Sequence, residues 1–204
     1  MTPSLATLLG ESAGVLDGVD VDGAGLAPGE VLDGAELVDC TVTGAVLERA
    51  RIVRCLFEGC TFRACDLSMA DLTDSRLSEC RFVDCKLLAT DLTVLGGLSI
   101  AAVPVRFEGC RLDLATFAGT DVSGAVFERC RLREVDLTEA VLRRCTFDGC
   151  DLEGARFART DLRDASLVGA TGWALDPREN RVTGLRVDLA GAPRLLGALG
   201  VTVE

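Results

Sequence analysis

The chain has no histidine and no tyrosine among its 204 residues. Those absences remove the commonest general base, the commonest zinc-binding nitrogen and one common acid. An enzyme built from it would have to work with carboxylates, lysine, arginine or thiols. Long apolar runs are also missing. None approaches the roughly 18 residues that span a bilayer, and no basic segment followed by an apolar one opens the sequence, so it predicts a cytoplasmic protein. Basic residues are absent from the first quarter. No Lys or Arg precedes Arg49, while Glu11, Asp17, Asp20, Asp22, Glu30, Asp33, Glu36, Asp39 and Glu48 all fall there. The net charge of −11 is therefore concentrated at one end, with about −2 left for the remainder, and direct binding to nucleic acid is not expected. No Gly-rich phosphate loop is found either. Catalytic, cofactor-binding and metal-ligating residues are accordingly all assigned as none.

What the chain does have is one period. Its eight phenylalanines, Phe57, Phe62, Phe82, Phe107, Phe117, Phe127, Phe147 and Phe157, lie five or a multiple of five apart. Its ten cysteines, Cys40, Cys55, Cys60, Cys65, Cys80, Cys85, Cys110, Cys130, Cys145 and Cys150, keep the same beat two places earlier. Leu, Ile or Val fills the central place wherever Phe does not, as in Leu37, Val42, Leu47, Ile52 and Leu67. Each unit reads small, polar, large apolar, polar, polar. A period of five matches neither the 3.6 of a helix nor the 2 of an ordinary strand. It fits a coil that turns a corner every five residues and sends the small and the large side chain inward. Such a unit has no core until neighbours stack on it.

The string Cys65-Asp66-Leu67-Ser68-Met69-Ala70-Asp71-Leu72-Thr73 resembles the pentapeptide-repeat family, whose motif is Ala-(Asp/Asn)-Leu-(Ser/Thr)-x. The resemblance implies an all-β fold, a right-handed quadrilateral β-helix with four repeats per 20-residue coil. The predicted organisation is an N-terminal cap and irregular first coil over 1–29, a repeat domain over 30–172 that is irregular at 95–105, and a C-terminal turn, helix and strand over 173–204. With coils about 4.8 Å apart, seven coils make a rod roughly 34 Å long.

Three stretches break the pattern. Leu26 to Leu32 is six residues, with Pro28 and Gly29 in the slip, and Ser4 is a candidate N-cap for a short helix carrying Leu5, Leu8 and Leu9. Between Leu92 and Phe107 the motif fades for fifteen residues, a whole number of repeats, which predicts a bulged or bent coil with phase kept and no long protruding loop. After Trp173, the stretch Leu189 to Leu199 changes to helical spacing, with Pro193 in the first turn and Gly200 as a stop, and Val201 and Val203 alternate like a strand. An apolar helix there either caps the solenoid or pairs it with another copy. The Leu195-Leu196 and Leu199-Gly200-Val201 pattern resembles the Qnr and MfpA type, which implies a homodimer through Leu189, Leu195, Leu196, Leu199, Val201 and Val203.

The thiols read as small hydrophobes. Stacked side chains keep their Cβ atoms near the inter-strand spacing, beyond the roughly 3.5–4.5 Å a disulfide prefers. Carboxylates before a central Leu, such as Asp66, Asp71 and Asp91, read as the polar member of the repeat, and Arg51, Asp71, Asp91 and Arg111 are expected to stack as a charge-balanced ladder. One column is unbalanced. Glu108, Glu128 and Asp148 would stand above one another beside Phe107, Phe127 and Phe147, and like charges on neighbouring strands are destabilising. These three, with Glu48 and Asp39 of the acidic segment, are the candidate partner-binding residues.

The family resemblance implies a non-enzymatic protein that imitates DNA, binds bacterial DNA gyrase or topoisomerase IV, and protects it against quinolones or other poisons. Qnr proteins carry projecting loops, and the absence of a visible insertion places this chain nearer the loopless MfpA pattern. The alternative is a structural scaffold for an unidentified protein partner.

Overall fold

The structure, a computed structural model, describes residues 5–12, 14–26, 30–95 and 104–202. Every strand pairing in it is parallel and joins one coil to the next, which makes a four-sided β-helix. The first wall is a seven-stranded sheet of Asp20–Asp22, Thr41–Thr43, Thr61–Arg63, Arg81–Val83, Arg106–Glu108, Val126–Glu128 and Thr146–Asp148. The second, third and fourth walls follow in chain order around each coil. On the second wall the coils meet as single bridges, for example Val46 to Asp66 to Lys86.

The five-residue beat arises at the corners. Three residues run extended, and the corner residue then turns the chain with a positive φ. Where that residue is not glycine, as at Asp39, Met69, Asp84 and Leu114, φ lies near +50° to +60°. The left-handed conformation costs about 1–2 kcal/mol for a residue with a Cβ. The corner is held because its N–H donates to the next coil, as from Met69 to Leu88 O at 2.9 Å and from Ala89 to Asp113 O at 2.9 Å. The motif carboxylate supports the same turn. Asp66, Asp71, Asp91, Asp121 and Asp136 each accept the N–H two residues on, at 2.9 to 3.1 Å. These acids are turn-makers, more than the solvated surface the sequence suggests.

Inside, all eight phenylalanines are buried. Phe62, Phe82, Phe107, Phe127 and Phe147 form one continuous stack, with centroids 4.8 to 5.1 Å apart and planes within 9°. Phe117 meets Phe107 and Phe127 edge-on. Each buried ring contributes about 1.5–3 kcal/mol by leaving water. All ten cysteines are free and buried, as a structural role requires. They do more than fill space. The thiol of Cys130 donates to Phe107 O at 3.3 Å and that of Cys65 to Val42 O at 3.3 Å, each 23 residues back. Ser75, Thr90, Thr160 and Asn180 occupy the same slot and donate to the equivalent carbonyl. The slot therefore accepts any small side chain with a donor that reaches the coil below.

The register corrects two expectations. Phe62 pairs with Phe82, twenty residues on, but Phe82 pairs with Phe107, twenty-five residues on. One coil is thus longer by five residues, and the surplus falls on the fourth wall between Asp91, which pairs with Thr116, and Arg106. An insertion exists where none was expected, and the course of residues 96–103 lies outside the described residues. The expected ladder of Arg51, Asp71, Asp91 and Arg111 does not form as drawn. Arg51 does face Asp71, but Arg111 stands above Lys86 on the second wall. The N-terminal slip is real, since Val21 pairs with Val42, twenty-one residues on, whereas Leu32 and Ile52 are twenty apart.

Helix α1, Leu5–Glu11, closes the N-terminal end with Leu5 and Leu9 buried, and the Leu5 N–H donates to Gly25 O at 3.0 Å. Ser4, the expected cap, lies outside the described residues. At the other end Trp173 is buried, and the Arg194 guanidinium covers its ring at 5.5 Å while donating to Trp173 O at 2.9 Å. Helix α2 spans Ala192–Ala198, shorter than expected, because Asp188 accepts the Gly191 N–H and sets the start after Leu189. Val201 is not in a strand, since no neighbouring strand pairs with it, and Val203 lies outside the described residues.

Two glycines separate backbone strain from crowding. A Cβ on Gly119, at φ +68°, would meet nothing within 4 Å, whereas on Gly172, at φ +73°, it would fall 2.7 Å from Glu153 N and 2.8 Å from Glu153 Cα. Gly119→Ala should cost about 1–2 kcal/mol. Gly172→Ala should cost clearly more, because backbone must move, and urea unfolding followed by circular dichroism measures the difference.

Candidate functional site

The strands Arg106–Glu108, Val126–Glu128 and Thr146–Asp148 pair in register, so Glu108, Glu128 and Asp148 stand in one column on the first wall. Alternation along each strand fixes their direction. The central Phe points inward and its neighbours outward, with Val83 below Glu108 as the column's apolar foot. Glu108 is bound by Arg81 from the coil below at 2.8 and 3.0 Å, which holds its carboxyl below the usual range. Glu128 pairs with its neighbour Arg129. Asp148 has no ion pair among the described residues and tops the column. The three acids are brought together, but unequally neutralised.

The other two candidates do not join them. Asp39 is the corner residue between the fourth and first walls, and its carboxylate folds over Gly59 in the next coil. Glu48 is exposed at the end of the second wall, around another corner from the column. The acidic residues of the first 48 positions are thus spread around the solenoid instead of lying on one side.

The dimerisation candidates are mostly in the open. Leu189 is 93% exposed, and Leu196, Leu199 and Val201 are also solvent-facing, while Leu195 packs partly against the core. No residue of α2 is buried. Nearby, Val168 of the first wall is exposed as well.

The arrangement offers little for bond chemistry. Burial pushes the Cys60 thiol up to about 11 and that of Cys145 up to about 12, and the thiols of Cys85 and Cys130, lowered by hydrogen bonds from neighbouring thiols in the same column, are sealed in the interior where no substrate reaches them. Asp161 is held well below the usual carboxylate range by Arg163 and Arg143, at 2.6 and 2.8 Å, so it is a fixed anion at neutral pH. The open depression between the last coil and α2 is lined by Arg133, Asp151, Glu153, Trp173 and Arg194, and there Arg133 is already paired with both carboxylates. Among the described residues no group of three or more potential ligands could hold a metal ion, and no helix is long and apolar enough to cross a membrane.

One cluster went unpredicted. Lys86, Arg111 and Arg131 stand in a row on the second wall. Only the 25-residue coil brings Arg111 there, and a count in fives does not reveal it.

Two family models match the chain. One, described as a pentapeptide repeat region, covers residues 102–171, and the other, pentapeptide repeats in eight copies, covers 43–78 and 55–93. Among solved structures, two trypsin-treated variants of QnrB1, a plasmid-mediated fluoroquinolone resistance protein, share the fold. One has a TM-score of 0.63 at 17% identity, with 93% of this chain and 97% of that one covered, and the other 0.52 at 21%, with 93% and 98% covered. HetL, involved in heterocyst differentiation regulation in the cyanobacterium Nostoc sp., matches with a TM-score of 0.45 at 19% identity over 90% of this chain and 94% of that one. No curated protein sequence matches the chain significantly.

The column supplies its own test. Asp148 faces Glu128 across a parallel pair without a cation of its own. Asp148→Asn should raise stability at low ionic strength by about 0.2–1 kcal/mol. The gain should fade as salt screens the repulsion, read by thermal unfolding at low and high sodium chloride.

Proposed function

Because the chain belongs to the pentapeptide-repeat family, we propose that it is a non-enzymatic cytoplasmic rod that binds a bacterial type II topoisomerase, DNA gyrase or topoisomerase IV, as a partial imitation of duplex DNA, and modulates it against quinolones or other poisons. The observation that carries this reading is the in-register column of Glu108, Glu128 and Asp148 on a filled solenoid. A row of carboxylates spaced by the strand separation, about 4.8 Å, is comparable with the rise per phosphate along the axis of one DNA strand, about 3.4 Å. The fluoroquinolone resistance named for QnrB1 belongs to that protein, and its likeness to this chain supports the reading through the fold alone. A solenoid filled by stacked rings and thiols has no interior left for a substrate.

A binding rod of this kind works at greater length when doubled. The exposed Leu189, Leu196, Leu199 and Val201 at the C-terminal end favour a homodimer joined there. Burying such an apolar group needs a partner surface of matching chemistry, and a second copy brings one by symmetry.

In a supercoiling assay with gyrase from the source organism, micromolar protein should either inhibit the enzyme or shift its ciprofloxacin inhibition curve, and Glu108→Lys with Glu128→Lys and Asp148→Lys should remove the effect. No effect of the wild-type chain would leave the alternative, a scaffold for another protein partner. Sedimentation should show a dimer that Leu196→Glu with Leu199→Glu converts to a folded monomer. A monomeric wild type at the same concentration would confine α2 to capping.

A further inference from the structure

The second wall carries two features that each cost stability, and they lie side by side. The first is the cationic row. Lys86, Arg111 and Arg131 are directly paired on adjacent strands, where like charges repel. Lys86 is neutralised by Asp66 at 3.1 Å and Arg131 by Asp113 at 2.7 Å. Arg111, between them, is exposed and has no ion pair among the described residues.

The second feature is the corner beside it. Met69, Ala89 and Leu114 occupy equivalent corners of successive coils, as their N–H bonds to Leu88, Asp113 and Arg133 show. All three have positive φ, at 55°, 50° and 61°, and all three are exposed, Leu114 by 58%. Most non-glycine corners among the described residues carry charged side chains. Of the four apolar ones among the described residues, Ala64, Met69, Ala89 and Leu114, three fall on this single edge. Glycine would relieve the backbone at each, and a polar residue would suit the solvent better. Half-buried Leu88 lies between the row and the edge.

We propose that this part of the second wall docks an acidic amphipathic α-helix of a partner protein, its carboxylates against Lys86, Arg111 and Arg131 and its apolar side chains over Met69, Ala89 and Leu114. The dimensions agree. Arg111 and Leu114, at the start and the corner of one wall segment, are three residues apart and so at most about 10 Å, no more than the width of a helix. Coils repeat about every 4.8 Å and helix turns every 5.4 Å, so acids one turn apart meet successive cations over this short length. Charge sets the occupant's chemistry. A cationic row with one uncompensated guanidinium selects carboxylates, and the apolar edge selects a helix that presents Leu or a similar side chain next to them. The surface lies around a corner from the acidic column, so it does not rest on topoisomerase binding.

The probe is a fluorescein-labelled synthetic helix of about 18 residues with Glu and Leu on adjacent faces, titrated with the full chain and read by anisotropy. Micromolar binding that weakens with salt is expected, with no binding by the same helix carrying Lys for Glu. Arg111→Glu should weaken binding at least tenfold. Leu114→Gly should weaken it about fivefold while raising the melting temperature by relieving the left-handed leucine, a combination that a merely structural Leu114 would not give. The proposal is overturned by absence of binding, by equal affinity of Arg111→Glu, or by a Leu114→Gly variant that binds as tightly as wild type. Competition by duplex DNA, or self-association of the chain abolished by Arg111→Glu, would assign the wall to a different occupant and overturn it equally.

Discussion

The structure depends on one constraint: equivalent residues of successive coils must stack at the separation of hydrogen-bonded strands, about 4.8 Å. A flat ring fits that distance face to face, and the five-ring stack from Phe62 to Phe147 has centroids within 0.3 Å of it. A thiol or hydroxyl fits it too, because from there it reaches the carbonyl of the coil below. The interior alphabet is narrow for this reason. A side chain much larger than phenylalanine would collide with its own copy above, and a charged one would repeat its desolvation cost in every coil.

The same constraint decides what sequence can reveal. The inward pattern repeats every five residues, so fold class, core positions and the burial of every Phe and Cys are legible from spacing alone. Which wall a residue occupies depends on a count of twenty, and five extra residues leave the first count intact while rotating the second. The column of Glu108, Glu128 and Asp148 was foreseeable because all three follow the long coil. The pairing of Arg111 with Asp91 fails because that pair straddles it. The visible signal was the fifteen residues between Leu92 and Phe107, where one wall between them would allow ten. Helix α2 was foreseeable in kind. Its start was not, because it depends on the turn in which Asp188 accepts the Gly191 N–H.

Polar residues divide along similar lines. Motif carboxylates such as Asp71 and Asp121 hold the turn by accepting the N–H two residues ahead, and the hydroxyls of Thr73 and Ser123 close the same ring. These are local bonds, made in the repeats that carry the motif carboxylate whatever the neighbouring coils hold. Ion pairs between coils, such as Arg81 with Glu108 and Arg131 with Asp113, are particular to their level and follow the register. Surface pairs of this type contribute little to stability, around 0–1 kcal/mol each. Their effect is to set the charge pattern a partner meets.

A filled solenoid can tolerate that pattern because its core does not depend on it. The outward positions of each unit contribute neither to the ring stack nor to the thiol column, so charge can be placed on a wall at a cost of tenths of a kcal/mol up to about 1 kcal/mol per unfavourable pair. The acidic column on the first wall and the cationic row on the second each set like charges on adjacent strands, partly offset by Arg81, Arg129, Asp66 and Asp113, and the cationic row crosses the 25-residue coil. Neither arrangement is one that folding favours, since like charges on adjacent strands repel. Recognition explains them better, because a uniform row is costly to the free rod and favourable only when another molecule supplies the opposite charge.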